Sequence, residues 1–265
     1  MRTYPNIRPA RGMTLIELMI SIVLGLLLVA VVIQIYVGSK AIYNKQDDLS
    51  RLQENGRVTL DIIGRAARIS GFKSNPAAVY STLFPTTAPA LIGTAGPANS
   101  SDSLIIRFQG SGDGAGVADG SVVDCLGATV SPAGVKYDSN VTIYNELYIA
   151  NNATTGRPGL FCDTSDDSTV NGVEVVSEVE NIRFLYGVDV NADGIVDYEV
   201  PAGLVTNWDQ VASLRIGLVA ASPNTINPTL DTSTYNVLGS TYDPVDDRRS
   251  RRLYTMTIAL RNRTP

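Results

Sequence analysis

From Leu18 to Ser39 the chain carries no charged residue, a run of about 22 apolar positions entered past a single carboxylate, Glu17. At 1.5 Å rise per residue this makes a helix about 33 Å long, enough to cross the hydrocarbon core of a bilayer. From Lys40 the pattern turns amphipathic, with Ile42, Leu49, Leu52, Gly56, Leu60, Ile63 and Ala67 at three-, four- or seven-residue spacings. Ser70-Gly71 offers a helix stop, so one helix is predicted from about Met13 to about Ser70. Residues 71–101 include Pro76, Pro85, Pro89 and Pro97 and read as an irregular connection. Beyond them the period shortens. A first strand is predicted over Ser103–Gln109, and Val141–Tyr144 and Leu147–Ile149 are strand-like. Ile182, Phe184, Tyr186 and Val188 alternate, as do Leu214, Ile216 and Leu218, and a last strand runs from Leu253 to Leu260. Non-helical spacers between strands imply an antiparallel sheet. The expected class is α+β: a long N-terminal helix, membrane-spanning in its first half, packed on an antiparallel β-sheet domain. The expected division is a leader at 1–12, an apolar helix half at 13–40, an amphipathic half at 41–70 and a β-rich domain at 71–265.

Charge decides the orientation. Residues 1–12 carry Arg2, Arg8 and Arg11 and no acid, which keeps that end cytoplasmic and exports the rest. A cleaved secretory signal is the competing reading. Its apolar region would be only about 7–15 residues, and Val37-Gly38-Ser39-Lys40 is a poor cleavage site. Glycine at position 25 is compatible with close helix packing or local melting and marks no site. A net charge of −5 argues against a nucleic-acid surface. The chain has no histidine, which excludes a Ser-His-Asp triad, a Cys-His pair and any histidine-ligated metal. Two cysteines cannot build a four-thiolate zinc site. In an oxidising compartment Cys125 and Cys162 are expected to form a disulfide, the alternative being two free thiols.

Three polar stretches are candidates for chemistry. Gly110–Gly116 is glycine-rich but lacks the Gly-Lys-Ser/Thr of a phosphate loop and reads as a turn. Asp189, Asn191, Asp193 and Asp197 stand at positions one, three, five and nine of a segment with Gly194 at six, the opening of an EF-hand calcium loop. Position twelve, normally a bidentate glutamate, is Val200; Glu199 is one residue early, and neither flank reads as a helix. The competing reading is a tight hairpin turn at Asn191-Ala192-Asp193-Gly194. A Ca2+ site is the one cofactor the sequence suggests. Finally, Asp246–Arg252 sets four arginines beside two aspartates, read as a solvated loop with local ion pairs or as a dock for an acidic partner.

The stretch Gly12-Met13-Thr14-Leu15-Ile16-Glu17-Leu18 followed by an apolar helix resembles the prepilin signal of type IV pilins and type II secretion pseudopilins. Methionine replaces the commoner phenylalanine at position 13. The resemblance implies that a prepilin peptidase cuts after Gly12 and methylates Met13, and that Glu17 serves filament assembly. Physical chemistry is consistent with that role: the positive helix terminus favours an anion, and a freed Met13 amine is a cation for it. Ser50–Arg57, Tyr186–Asp189, Leu214–Ile216 and Leu260–Asn262 further resemble PilW-type minor pilins, which often carry a comparable cysteine pair. The implied fold is pilin-like. The implied function is that of a minor pilin helping to initiate a type IV pilus, within a tip complex of other minor pilins and alongside the major pilin. The implied location is the inner membrane, with the C-terminal domain in the periplasm and later in the pilus. A minor pseudopilin of a type II secretion system is the nearest alternative. A membrane-tethered periplasmic binding protein or enzyme is the other: no nucleophile-base pair supports it, and a carboxylate-only hydrolase stays open.

Overall fold

The computed structural model describes residues 12–74, 78–112, 117–129, 142–164 and 172–262. The leader arginines Arg2, Arg8 and Arg11, Pro76, residues 113–116 of the glycine-rich stretch and Val141 lie outside them. The chain divides into two compact units, Met1–Asp47 and Asp48–Pro265.

Helix α1 spans Leu15–Ile69. Every residue from 12 to 47 is exposed: Leu15 is 76% exposed, Leu28 69% and Tyr36 67%. In the second unit the same helix is amphipathic, with Leu52, Gly56, Thr59, Ile63, Gly64, Ala66 and Ala67 buried. The stripe is shorter than its sequence pattern suggests, because Ile42 stays 61% exposed. The helix ends as expected. Gly71 adopts φ 73°, the left-handed conformation that glycine takes without a Cβ clash, and its amide turns to the Arg107 carbonyl at 3.0 Å.

Two antiparallel sheets follow. The first has five strands in sequential order: β1 (Leu91–Thr94), β2 (Ser103–Phe108), β3 (Ile143–Asn151), β4 (Pro158–Asp163) and β5 (Val173–Ser177). β6 (Val179–Val188) and β7 (Tyr198–Val200) belong to the second, as do β8 (Val211–Thr225) and, beyond the β9–β10 hairpin (Tyr235–Val237 and Ser240–Tyr242), β11 (Arg249–Ala259). Its order is β11-β8-β6-β7. The alternating residues Ile182, Phe184, Tyr186 and Val188 are all buried on β6, and Leu214, Ile216 and Leu218 on β8. The fold class is α+β, as the sequence predicts.

The proline-rich segment holds more order than its composition indicates. It contains a one-turn helix α2 (Tyr80–Leu83) and β1, whose Leu91 and Ile92 pair with Ile106 and Ile105. A four-residue strand bordered by prolines is too short to announce itself by alternation. Val141–Tyr144 and Leu147–Ile149, read as separate runs, contribute to one strand, β3, over its described residues.

One apolar core joins both sheets and the helix: Ile63 and Ala67 of α1, Leu104 and Ile106 of β2, Leu160 of β4, Phe184 and Tyr186 of β6 and Ile216 of β8. Tyr186 lies edge-on to Trp208, ring centroids 4.9 Å apart, and its hydroxyl end fills the space above Gly93 of β1, where any Cβ would overlap it. Burial first, then the nearby Asp102 carboxylate, pushes the Tyr186 phenol well above its ordinary pKa. Asp102 itself takes Arg183 Nη1 at 2.6 Å and the Phe184 amide at 2.9 Å. Arg183 in turn donates to the Gly96 and Pro97 carbonyls, so the buried ion pair is fully engaged between the two sheets.

The arginine-rich stretch is no solvated loop. Its residues start β11, and alternation sends Arg249 and Arg251 inward while Arg248 and Arg252 stay exposed. Arg249 pairs with Glu178 at 2.8 Å, with Asp247 at 2.8 Å and with Glu180. Arg251 pairs with Glu180 at 2.6 Å and Asp247 at 2.9 Å, and Arg157 reaches Glu178 at 2.7 Å. Glu178, in the bend before β6, and Glu180, at the start of β6, supply the acids; they lie about seventy residues from Arg249 and Arg251 in sequence, and only the fold brings them together.

Candidate functional site

The N-terminal site begins with local sequence. Thr14 precedes the first helical residue, and Glu17 stands three positions later. The Glu17 amide donates to Thr14 Oγ1 and the Thr14 amide donates to Glu17 Oε2, each at 3.4 Å. This reciprocal pair is a capping box, which satisfies two amides that an isolated helix start leaves bare. The Thr-x-x-Glu spacing was the signal for it, and Thr14 is the site residue that reading for charge alone overlooks. Gly12 and Met13 are exposed beside it. The carboxylate is thus held at the helix terminus, where the macrodipole favours it. α1 is the one helix among the described residues that is long and apolar enough to cross a membrane, and none of its apolar stretch is covered by the protein.

The other candidates lie in the second unit. Cys125 and Cys162 form a disulfide with Cα atoms 6.2 Å apart. Cys162 is buried on β4, and Cys125 sits in a turn whose Leu126 and Ala128 amides both donate to Asp124 Oδ1 at 2.9 Å.

The aspartate segment 189–197 connects β6 to β7, which pair from Val188 opposite Tyr198. It is a hairpin connection, but a longer one than the tight turn at Asn191–Gly194. Asp189 Oδ2 accepts the Gly194 amide at 2.8 Å, Asn191 Oδ1 the Asp193 amide at 3.1 Å, and Asp193 Oδ1 the Ile195 amide at 2.8 Å. Asp197 Oδ2 closes the loop on the Val190 amide at 2.8 Å. Glu199 does not join them: it pairs with Arg215 at 3.1 Å. Among the described residues, no three acidic, thiol or imidazole side chains are gathered as a ready metal cage.

Two family models match the chain, one at each end. The prokaryotic N-terminal methylation motif matches residues 7–33, and the type IV pilus-assembly protein W family matches residues 146–262. The chain is thus similar at its two ends to type IV pilus proteins. A type IV-like pilin from Thermus thermophilus is similar in structure, with 13% identity, 81% of this chain and 98% of that chain covered, and a TM-score of 0.48. No curated protein matches the chain. The apolar half of α1 fits a single-pass membrane anchor whose entrance carries the capped Glu17. The PilW match takes in Cys162, the aspartate loop and both inward arginines of β11, and leaves Cys125 outside it.

Proposed function

We propose that this chain is a minor pilin that helps to initiate a type IV pilus from the inner membrane, in a complex with other minor pilins, its C-terminal domain in the periplasm. Its role is structural rather than catalytic. A prepilin peptidase cuts between Gly12 and Met13 and methylates Met13, and the major pilin extends the filament from the complex.

The observation that carries this reading is an exposed apolar helix half with one capped carboxylate at its start. A surface of this kind is stable only when lipid or other apolar helices cover it. A charge at the centre of a membrane helix costs about 2.5–3.5 kcal/mol and less near an end, so Glu17 is tolerated in the bilayer. Moved among packed helices, it needs a partner. The ammonium of Met13 on a neighbouring subunit supplies one, and the Thr14 cap keeps the carboxylate where that pair fixes axial register.

Replacing Glu17 by alanine tests the reading. The variant is expected to accumulate in the membrane at the wild-type level, with mass spectrometry finding its N-terminus at N-methylated Met13. Surface pili counted by electron microscopy are expected to fall several-fold. Wild-type piliation with Glu17→Ala would refute the assembly role, and a mature N-terminus near Lys40 would refute the prepilin reading itself.

A further inference from the structure

The loop between β6 and β7 holds a buried carboxylate oxygen without a hydrogen-bond partner among the described residues. Asp189 is 5% exposed, at the buried end of β6, and is the only one of the loop's acids to be buried. Its two oxygens differ. Oδ2 takes the Gly194 amide at 2.8 Å, which turns the carboxylate into the loop. Oδ1 is buried and has no hydrogen-bond partner among the described residues. A buried carboxylate oxygen left bare is rare in folded proteins and calls for an explanation. No arginine or lysine is paired with Asp189 among the described ion pairs, whereas Glu199 nearby has Arg215.

We propose that Asp189 Oδ1 is the anchoring ligand of a Ca2+ ion held by the loop Asp189–Asp197. Each carboxylate already braces the loop with one oxygen on a main-chain amide: Asp189 on Gly194, Asp193 on Ile195 and Asp197 on Val190. That division of labour leaves the second oxygen of each for a cation. Asn191 stands at the third position, and its amide nitrogen donates to Asp193 Oδ2 at 3.1 Å, a contact that a cation replaces by drawing the two oxygens onto itself. Ile195, at the seventh position, offers its main-chain carbonyl in such a loop. The backbone is bent to suit, with φ 58° at Ala192 and 84° at Gly194.

The donors are all oxygen, which selects a hard cation. Ca2+ accepts six to eight such ligands in irregular geometry, whereas Mg2+ demands a near-ideal octahedron that three separately braced side chains do not provide. Val200 replaces the bidentate glutamate of an EF-hand, and Glu199 is committed elsewhere. The affinity therefore belongs to the weak class, a Kd of about 10⁻⁴–10⁻³ M.

Equilibrium dialysis of the full-length protein in detergent against radioactive Ca2+ tests the site. One ion per chain is expected to bind with a Kd in that range, and Mg2+ at equal concentration is expected not to displace it. Asp193→Asn, at an exposed position, is expected to weaken binding at least about tenfold, and Asp189→Asn to abolish it. If Asp189→Asn fails to fold, Asp193→Asn and Asp197→Asn decide the matter. No saturable binding up to about 10 mM Ca2+, equal binding of Mg2+, or binding unchanged in Asp193→Asn would overturn the proposal.

Discussion

At the scale of single residues, side chains that are missing matter as much as those present. Gly56 lies on the buried stripe of α1 against the Tyr254 ring of β11, so close that a Cβ there would overlap the ring. Gly64, two turns on, meets Met256 and Ile258 of the same strand at 3.0 and 3.3 Å from where its Cβ would stand. The helix approaches the sheet at these two points because nothing protrudes from it. Gly56→Ala should therefore lower the unfolding free energy by about 1–3 kcal/mol despite alanine's better helix propensity. Chemical denaturation gives the value, and the loss should shrink in a Tyr254→Ala background, where the methyl group has room. A Gly56→Ala protein as stable as wild type would mean the ring moves aside without cost. Glu17 and Asp189 show the other side of single-residue chemistry. Each is a carboxylate with one oxygen tied to a main-chain amide, and each role depends on what meets the rest of it.

At the scale of elements, the start of β11 is defined by charge. Asp247 precedes the strand and gathers Arg249 and Arg251. Partial burial alone would raise its pKa, but the hydrogen bonds from Arg251 and Arg249 outweigh that and lower it from 3.8 to about 2. The hydrogen bonds to Glu180 and Asp247 likewise overcome burial and raise the pKa of Arg251. Because the folded-state value of Asp247 lies below the unfolded one, its stabilisation is complete above pH 3.8 and lost as pH falls toward 2. Solvent screening at this partly exposed carboxyl holds the amount to about 1 kcal/mol. Thermal unfolding followed between pH 5 and pH 2 should show a falling Tm, and Asp247→Asn should flatten part of that fall. A variant with the full wild-type slope would assign the acid sensitivity to other carboxylates. Removing Arg251 instead should cost more, up to about 3 kcal/mol, because buried Glu180 would keep only Arg249 as its ion-pair partner.

At the scale of the second unit, two sheets share one core and are tied across by Arg183 with Asp102 and by Tyr186 over Gly93. The disulfide adds a covalent tie between β4 and the turn at Cys125. That turn and α1 line a cavity of about 370 Å³ between Ile62, Ala66 and Ile69 of the helix and Val123 and Leu126. With the cysteines 37 positions apart, cross-linking removes loop entropy worth about 4 kcal/mol in the chain model, and measured losses for small domains run about 2–5 kcal/mol. Changing both cysteines to serine should lower stability by that order while leaving membrane insertion intact, since α1 lies outside the closed loop. Denaturation of the purified variant and a membrane immunoblot check the two halves. Unchanged stability would mean that packing of Val122 already holds the turn.

Much of this molecule is legible along the chain because its signals are local. An uncharged run followed by an amphipathic one spells out α1, and Ser70-Gly71 spells out its end, because helical contacts fall within four residues. Strict alternation reveals β6 and β8 for the same reason. The prepilin-like start, with Glu17 four residues beyond Met13, is a linear motif whose residues stand side by side in the chain. What only the tertiary structure decided involves partners far apart. β1 is a strand because β2 offers it hydrogen bonds, and Leu91–Thr94 has no pattern of its own. Asp246–Arg252 looks like a solvated charge cluster until Glu178 and Glu180 arrive from the start of β6 and neutralise its inward face. The aspartate loop resembles a calcium loop by spacing, yet only the fold buries Asp189, leaves its Oδ1 bare and diverts Glu199 to Arg215. Spacing along a chain records which side chains can meet nearby, whereas burial and long-range pairing depend on which surfaces the packed core brings together.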